Sequence, residues 1–113
     1  MKTMTDVQNL FQKALPLHQA GHIQDAEKLY KEILQKQPDH EEANHLLGLV
    51  KFQQGDHLNA IALITRAVEI DPSFAAAHYN LGRCHEQIGE NEKAAQSYNA
   101  SLSLRPDDAD CYL

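Results

Sequence analysis

Residues 41–74 read EEANHLLGLVKFQQGDHLNAIALITRAVEIDPSF, and three positions in this stretch decide the fold: Gly55, Ala60 and Pro72. Each recurs 34 residues away in both directions, as Gly21 and Gly89, Ala26 and Ala94, and Pro38 and Pro106. Three independent columns sharing one period mark a tandem repeat, and a period of about 34 residues belongs to stacked helical hairpins. The columns divide the chain into units 7–40, 41–74 and 75–108, with 1–6 as a lead-in and 109–113 opening a fourth unit that stops short. The expected fold is all-α, a right-handed superhelical stack of antiparallel helix hairpins. Stacks of this kind bind other chains through extended surfaces.

Breakers and caps place helices near 6–20, 24–36, 41–54, 57–70, 75–88 and 91–104. Asp6, Asp39, Asp56 and Ser73 are the expected N-caps. Gly21, Gly55 and Gly89 fall between the two helices of each unit, where a residue at positive φ makes the turn. Each column proline follows a second helix that it cannot continue. Pro16 lies inside the first helix and predicts a bend there.

The internal spacing extends the pattern. The second unit reads Asn44-x2-Leu47-Gly48-x2-Lys51, then Ala60-x3-Ile64, Ala67 and Pro72. The third reads His78-x2-Leu81-Gly82-x2-His85, then Ala94-x3-Tyr98, Ser101 and Pro106. The first reads Leu10-x2-Lys13-Ala14-x2-Leu17, then Ala26-x3-Tyr30, Ile33 and Pro38. This pattern resembles the tetratricopeptide repeat over nearly the whole chain. The small residues Ala14, Gly48 and Gly82 then fall where two helices approach, beside Tyr30, Ile64 and Tyr98 as the large knobs. The chain departs from the family at the slot that often opens the motif with an aromatic, filled here by Leu10, Asn44 and His78. Lys51 and His85 stand where a large residue is usual. These departures predict looser hairpins.

Composition excludes several functions. The formal net charge of −6 supplies no basic stripe for nucleic acid or an anionic membrane. Met1 to Asp6 carries no apolar run of the signal-peptide kind, and no stretch approaches a membrane span. Cys84 and Cys111 form no CxxC, which suits reduced thiols in a cytoplasmic protein. The seven histidines make no HExxH or Cys/His ligand set, so no metal site or cofactor is expected. No nucleophile motif or phosphate loop occurs, so the chain does not read as an enzyme.

The resemblance implies that the first helix of each unit lines a concave, peptide-binding groove. On the 34-residue grid its residues are Phe11, Leu15, His45 and Leu46, with Leu49, Tyr79, Asn80 and Arg83. Phe52 adds to the apolar wall, and Gln19, Gln53 and Gln87 form a polar stripe beside it. The slots with which co-chaperone members grip a C-terminal carboxylate hold Phe11, Leu15, Leu46, Ala76 and Asn80, of which only Asn80 suits that use. The asparagine ladder of O-linked N-acetylglucosamine transferase arrays is matched in part by Gln12, Leu46 and Asn80. Two functions follow as expectations. One is a protein-interaction scaffold binding a protein or peptide; the other is the N-terminal targeting arm of a larger glycosyltransferase- or sulfotransferase-type enzyme. Tyr98 and Leu102 lie on the face that a next helix would cover, so a homodimer through the C-terminal end is also expected.

Overall fold

A computed structural model describes residues 5–104 as six helices: α1 Asp6–Gln19, α2 Ile23–Lys36, α3 Glu41–Gln53, α4 His57–Ile70, α5 Ala75–Gln87 and α6 Asn91–Leu104. No strand occurs among the described residues. The helices pair in sequence as three hairpins, and α2 and α4 also pack on the first helix of the next hairpin. The result is an all-α helical-repeat superhelix with extents of 46 × 29 × 24 Å. The repeat elements at Pro106, Cys111 and 109–113 lie outside the described residues.

One turn is built three times. Gly21, Gly55 and Gly89 have φ of 88°, 82° and 81°. The residue after each glycine donates its N–H back across the helix end: His22 to the Leu17 carbonyl, Asp56 to Lys51 and Glu90 to His85, at 2.8, 2.8 and 2.9 Å. A Cβ on these glycines would meet nothing within 4 Å, so backbone conformation, not space, requires them. Gly48 and Gly82 serve the opposite purpose. A Cβ on Gly48 would stand 2.4 Å from Ile64 Cγ1, and one on Gly82 would stand 2.8 Å from the Tyr98 ring. Those two helices meet at the knob that the repeat places opposite.

The core consists of two clusters, each spanning one junction between hairpins. Ala14, Ala26, Tyr30 and Ile33 of the first hairpin cluster with Ala43, Leu47 and Val50 of the second. Ala60, Ile64 and Ala67 of α4 cluster with Ala77, Leu81 and Cys84 of α5. Burial pushes the Cys84 thiol pKa up to about 11, so it packs as a small inert hydrophobe.

Several local expectations need correction. The N-cap of α1 is Thr5, not Asp6: its Oγ1 accepts the Gln8 N–H at 3.1 Å while Gln8 Oε1 accepts the Thr5 N–H at 2.9 Å. The N-cap of α3 is His40, whose Nδ1 accepts the Ala43 N–H at 3.0 Å, while Asp39 pairs with Arg66. Asp56 does cap α4. Ser73 caps nothing because its N–H and hydroxyl both turn back to Asp71 Oδ1, leaving Phe74 as the uncapped start of α5. Pro16 lies within α1 without ending it.

The departures from the family pattern carry polar ties. Asn44 Nδ2 donates to the Pro38 carbonyl at 3.1 Å, and His78 Nε2, one repeat later, donates to the Pro72 carbonyl at 2.9 Å. Both bind their helix to the end of the preceding hairpin. Lys51 Nζ reaches Glu27 Oε2 at 2.7 Å, and His85 Nδ1 lies 3.3 Å from Glu90 Oε1.

Candidate functional site

The first helices α1, α3 and α5 stand side by side, and their shared face forms a concavity of about 660 Å³. Leu15, His18 and Gln19 of α1 line it from one side. Leu46, Leu49, Phe52 and Gln53 of α3 form its floor, and Arg83 of α5 closes it. Of the eight sequence-expected groove residues, Leu15, Leu46, Leu49 and Arg83 come together here. Leu49 is nearly covered by its neighbours, whereas Leu15 and Leu46 are half-buried.

The other four are placed differently. Phe11 sits in a separate depression of about 260 Å³ with Val7, Gln8, Gln12, His40 and Glu42, its ring centroid 5.7 Å from that of His40. Tyr79 lines a third depression, of about 350 Å³, with Glu86, Tyr98, Ser101 and Leu102. His45 and Asn80 are buried at 5% and 1% exposure, beneath the groove surface. Tyr98 is half-buried, and Leu102 is 44% exposed at the end of the stack.

The buried pair is joined by a hydrogen bond. Asn80 Nδ2 donates to His45 Nε2 at 3.0 Å across the junction between α3 and α5. Burial, with a smaller contribution from His18, lowers the His45 pKa to about 4, so Nε2 is an acceptor at neutral pH. The Phe74 ring packs edge-on to His45 with centroids 4.9 Å apart. Asn80 Oδ1 then accepts from Arg83 Nη1 at 3.1 Å, and the guanidinium carbon stands 5.0 Å from the centre of the Phe52 ring. Across the groove, His18 bridges hairpins: its Nδ1 lies 3.0 Å from the Tyr30 hydroxyl and its Nε2 2.9 Å from Gln53 Oε1. Burial raises the Tyr30 pKa to about 12, which keeps that hydroxyl protonated.

His18 and Gln53 belong to the flanking columns that repeat spacing reveals, but their bond across units needs the curvature of the stack. Among the described residues no group of three or more His, Cys, Asp or Glu side chains could hold a metal ion. No described helix is long and apolar enough to cross a membrane.

Helical hairpins repeated in register around a concave face define a superhelical scaffold. The chain belongs to the tetratricopeptide-repeat family: residues 6–101 match the family described as "Anaphase-promoting complex, cyclosome, subunit 3". It is similar to Superkiller complex protein 3 of Homo sapiens, 29% identical over 101 residues, which is 89% of this chain and 6% of that protein. It is also similar to Anaphase-promoting complex subunit 3 of Dictyostelium discoideum, 30% identical over 89 residues, 79% of this chain and 9% of that one. Among solved structures, a mutant O-GlcNAc transferase of Thermobaculum terrenum superposes with a TM-score of 0.88 and 35% identity, covering 93% of this chain and 21% of that chain. The chain therefore spans under a tenth of these two curated relatives. Membership in this family points to a scaffold for protein–protein interaction.

Proposed function

We propose that the chain binds an extended peptide or a partner helix in the groove between Leu15, Leu46, Phe52 and Arg83, in a cytoplasmic setting. The observation that carries this reading is the central concavity, whose walls come from all three hairpins. Its floor offers half-buried leucine and phenylalanine surface, and His18, Gln19, Gln53 and Arg83 supply polar groups at the edge. Concave apolar walls with a few fixed polar groups suit ligand capture. Peptides selected by display against the chain provide the test, with affinity read by calorimetry. Leu15→Ser together with Leu46→Ser is expected to weaken binding about tenfold or more, since about 25 cal/mol is lost per Å² of apolar burial. Leu58→Ser, at a residue 72% exposed on α4, is expected to leave it unchanged. The reverse result would move the site to the outer helices.

The second reading, a targeting arm of a larger transferase, is supported by the likeness to the O-GlcNAc transferase chain, of which this chain covers 21%. In that setting the groove would hold the segment to be modified, and the chemistry would lie elsewhere. Fusion of the chain to a glycosyltransferase domain, assayed on groove-binding and non-binding peptides, tests it. Equal transfer to both would count against the arm.

A further inference from the structure

Among the described residues, Arg83 is the only Lys or Arg lining the central groove, and it takes part in none of the ion pairs formed there. Its position is nevertheless fixed. One guanidinium nitrogen donates to Asn80 Oδ1, the planar group lies against the Phe52 ring, and Asn80 is itself held by His45 from below. Asn80 and His45 are both more than nine-tenths buried. An arginine that served only to cover apolar surface would need no such backing. A guanidinium held in one orientation keeps its remaining N–H donors aimed in a fixed fork, the geometry that recognises a carboxylate.

We propose that Arg83 is an anchor for one carboxylate side chain of the bound segment, seated beside the apolar floor at Leu46, Leu49 and Phe52. The inference rests on the groove reading above. Charge argues for a single Asp or Glu rather than an acidic tract. The whole chain carries a net charge of −6, so a run of acids would meet repulsion away from Arg83. Glu86, on the same helix, already accepts the Tyr98 hydroxyl at 2.7 Å and adds to that negative surround. The occupant is thus a mostly apolar partner segment with one acidic residue next to a large aliphatic or aromatic one.

The test uses an array of C-terminally amidated decapeptides, each with one Glu among Leu, Phe and neutral polar residues and each paired with its Gln counterpart. Amidation removes the terminal carboxylate, so only the side chain can engage Arg83. The intact chain is expected to bind Glu members about tenfold more tightly than their Gln partners, as charge-assisted bidentate bonds allow. That preference is expected to shrink in high salt. Arg83→Gln is expected to erase the preference while leaving the dependence on Leu46. Asn80→Ala is expected to reduce it, with helical content checked by circular dichroism. Binding that depends on Leu46 but treats Glu and Gln alike would overturn the carboxylate anchor and leave the groove standing. A Glu preference that survives Arg83→Gln would overturn it as well. Failure of every peptide to bind would overturn both the anchor and the groove.

Discussion

Tyr30 and Tyr98 occupy the same slot of the repeat, two units apart, and differ in what covers them. Each ring fills the space beside a small residue of its own first helix. Each hydroxyl meets the residue at one equivalent position, His18 at 3.0 Å and Glu86 at 2.7 Å. Tyr30 is nevertheless fully buried, because Ala43, Leu47 and Val50 of the next hairpin close over it. Tyr98 stays half-open with Leu102 beside it, and no further hairpin is present among the described residues. The burial of a repeat residue is thus a property of the junction, as nearest-neighbour stacking requires.

The largest effect that could break this comparison is truncation of the two tyrosines. Tyr30→Ala is expected to cost about 3–5 kcal/mol, as for large aromatic residues in a closed core. Tyr98→Ala is expected to cost less, about 1–2 kcal/mol, because part of its surface is already exposed to solvent. Thermal and urea unfolding compare them directly, and equal losses would show that the two ends are equally covered.

The glycines opposite sharpen the same contrast. Gly48→Ala places a methyl group against Ile64, which is closed in on all sides, and is expected to cost about 1–3 kcal/mol. Gly82→Ala is expected to cost less, since the half-open Tyr98 ring can move away. A larger loss at Gly82 would contradict the open end.

Acid separates two further groups at the junctions. The hydrogen bond from Lys51, helped by Gln54 and Lys31, lowers the Glu27 pKa from 4.5 to about 2. Its contribution is fully present above pH 4.5 and is lost as pH falls towards 2. His45 is buried neutral with its pKa lowered to about 4, so protonation favours the unfolded chain and stability falls between pH 6.5 and 4. Each window is expected to account for about 1–2 kcal/mol after solvent screening. Glu27→Gln should flatten only the lower window in pH-resolved unfolding, and His45→Gln only the upper one. At the second junction the slot of Glu27 holds Ile61, which packs on the core there, so no matching acid step is expected from it.

The smallest effect concerns association. The open α6 face is proposed to pair with a second copy, weakly, through Tyr98 and Leu102. Light scattering over a concentration series should show a rising mass that Tyr98→Glu with Leu102→Glu abolishes. A constant monomer mass, or a dimer that survives both changes, would contradict this.

The fold was legible because its determinants repeat. A residue needed for positive φ, a close approach or a helix stop appears three times at one spacing, and chance does not repeat in register. The caps were less legible because one side chain has several local options. Ser73 has a near acceptor in Asp71, and His40 stands one residue closer to its helix than Asp39. The groove was half legible for a different reason. Spacing assigns His45 to the column of Phe11 and Tyr79, yet only His45 is buried, since the middle hairpin has a neighbour on each side. A column fixes the direction of a side chain, and the neighbouring hairpins fix its depth.

The claim that the first-helix face is the binding face is tested most directly by a two-dimensional amide NMR titration with a display-selected peptide. The account predicts shifts concentrated at Leu15, Leu46, Leu49, Phe52 and the helix around Arg83, with α4 around Leu58 unmoved. Shifts gathered on the outer faces of α2, α4 and α6, with the groove amides unchanged at saturation, would contradict it.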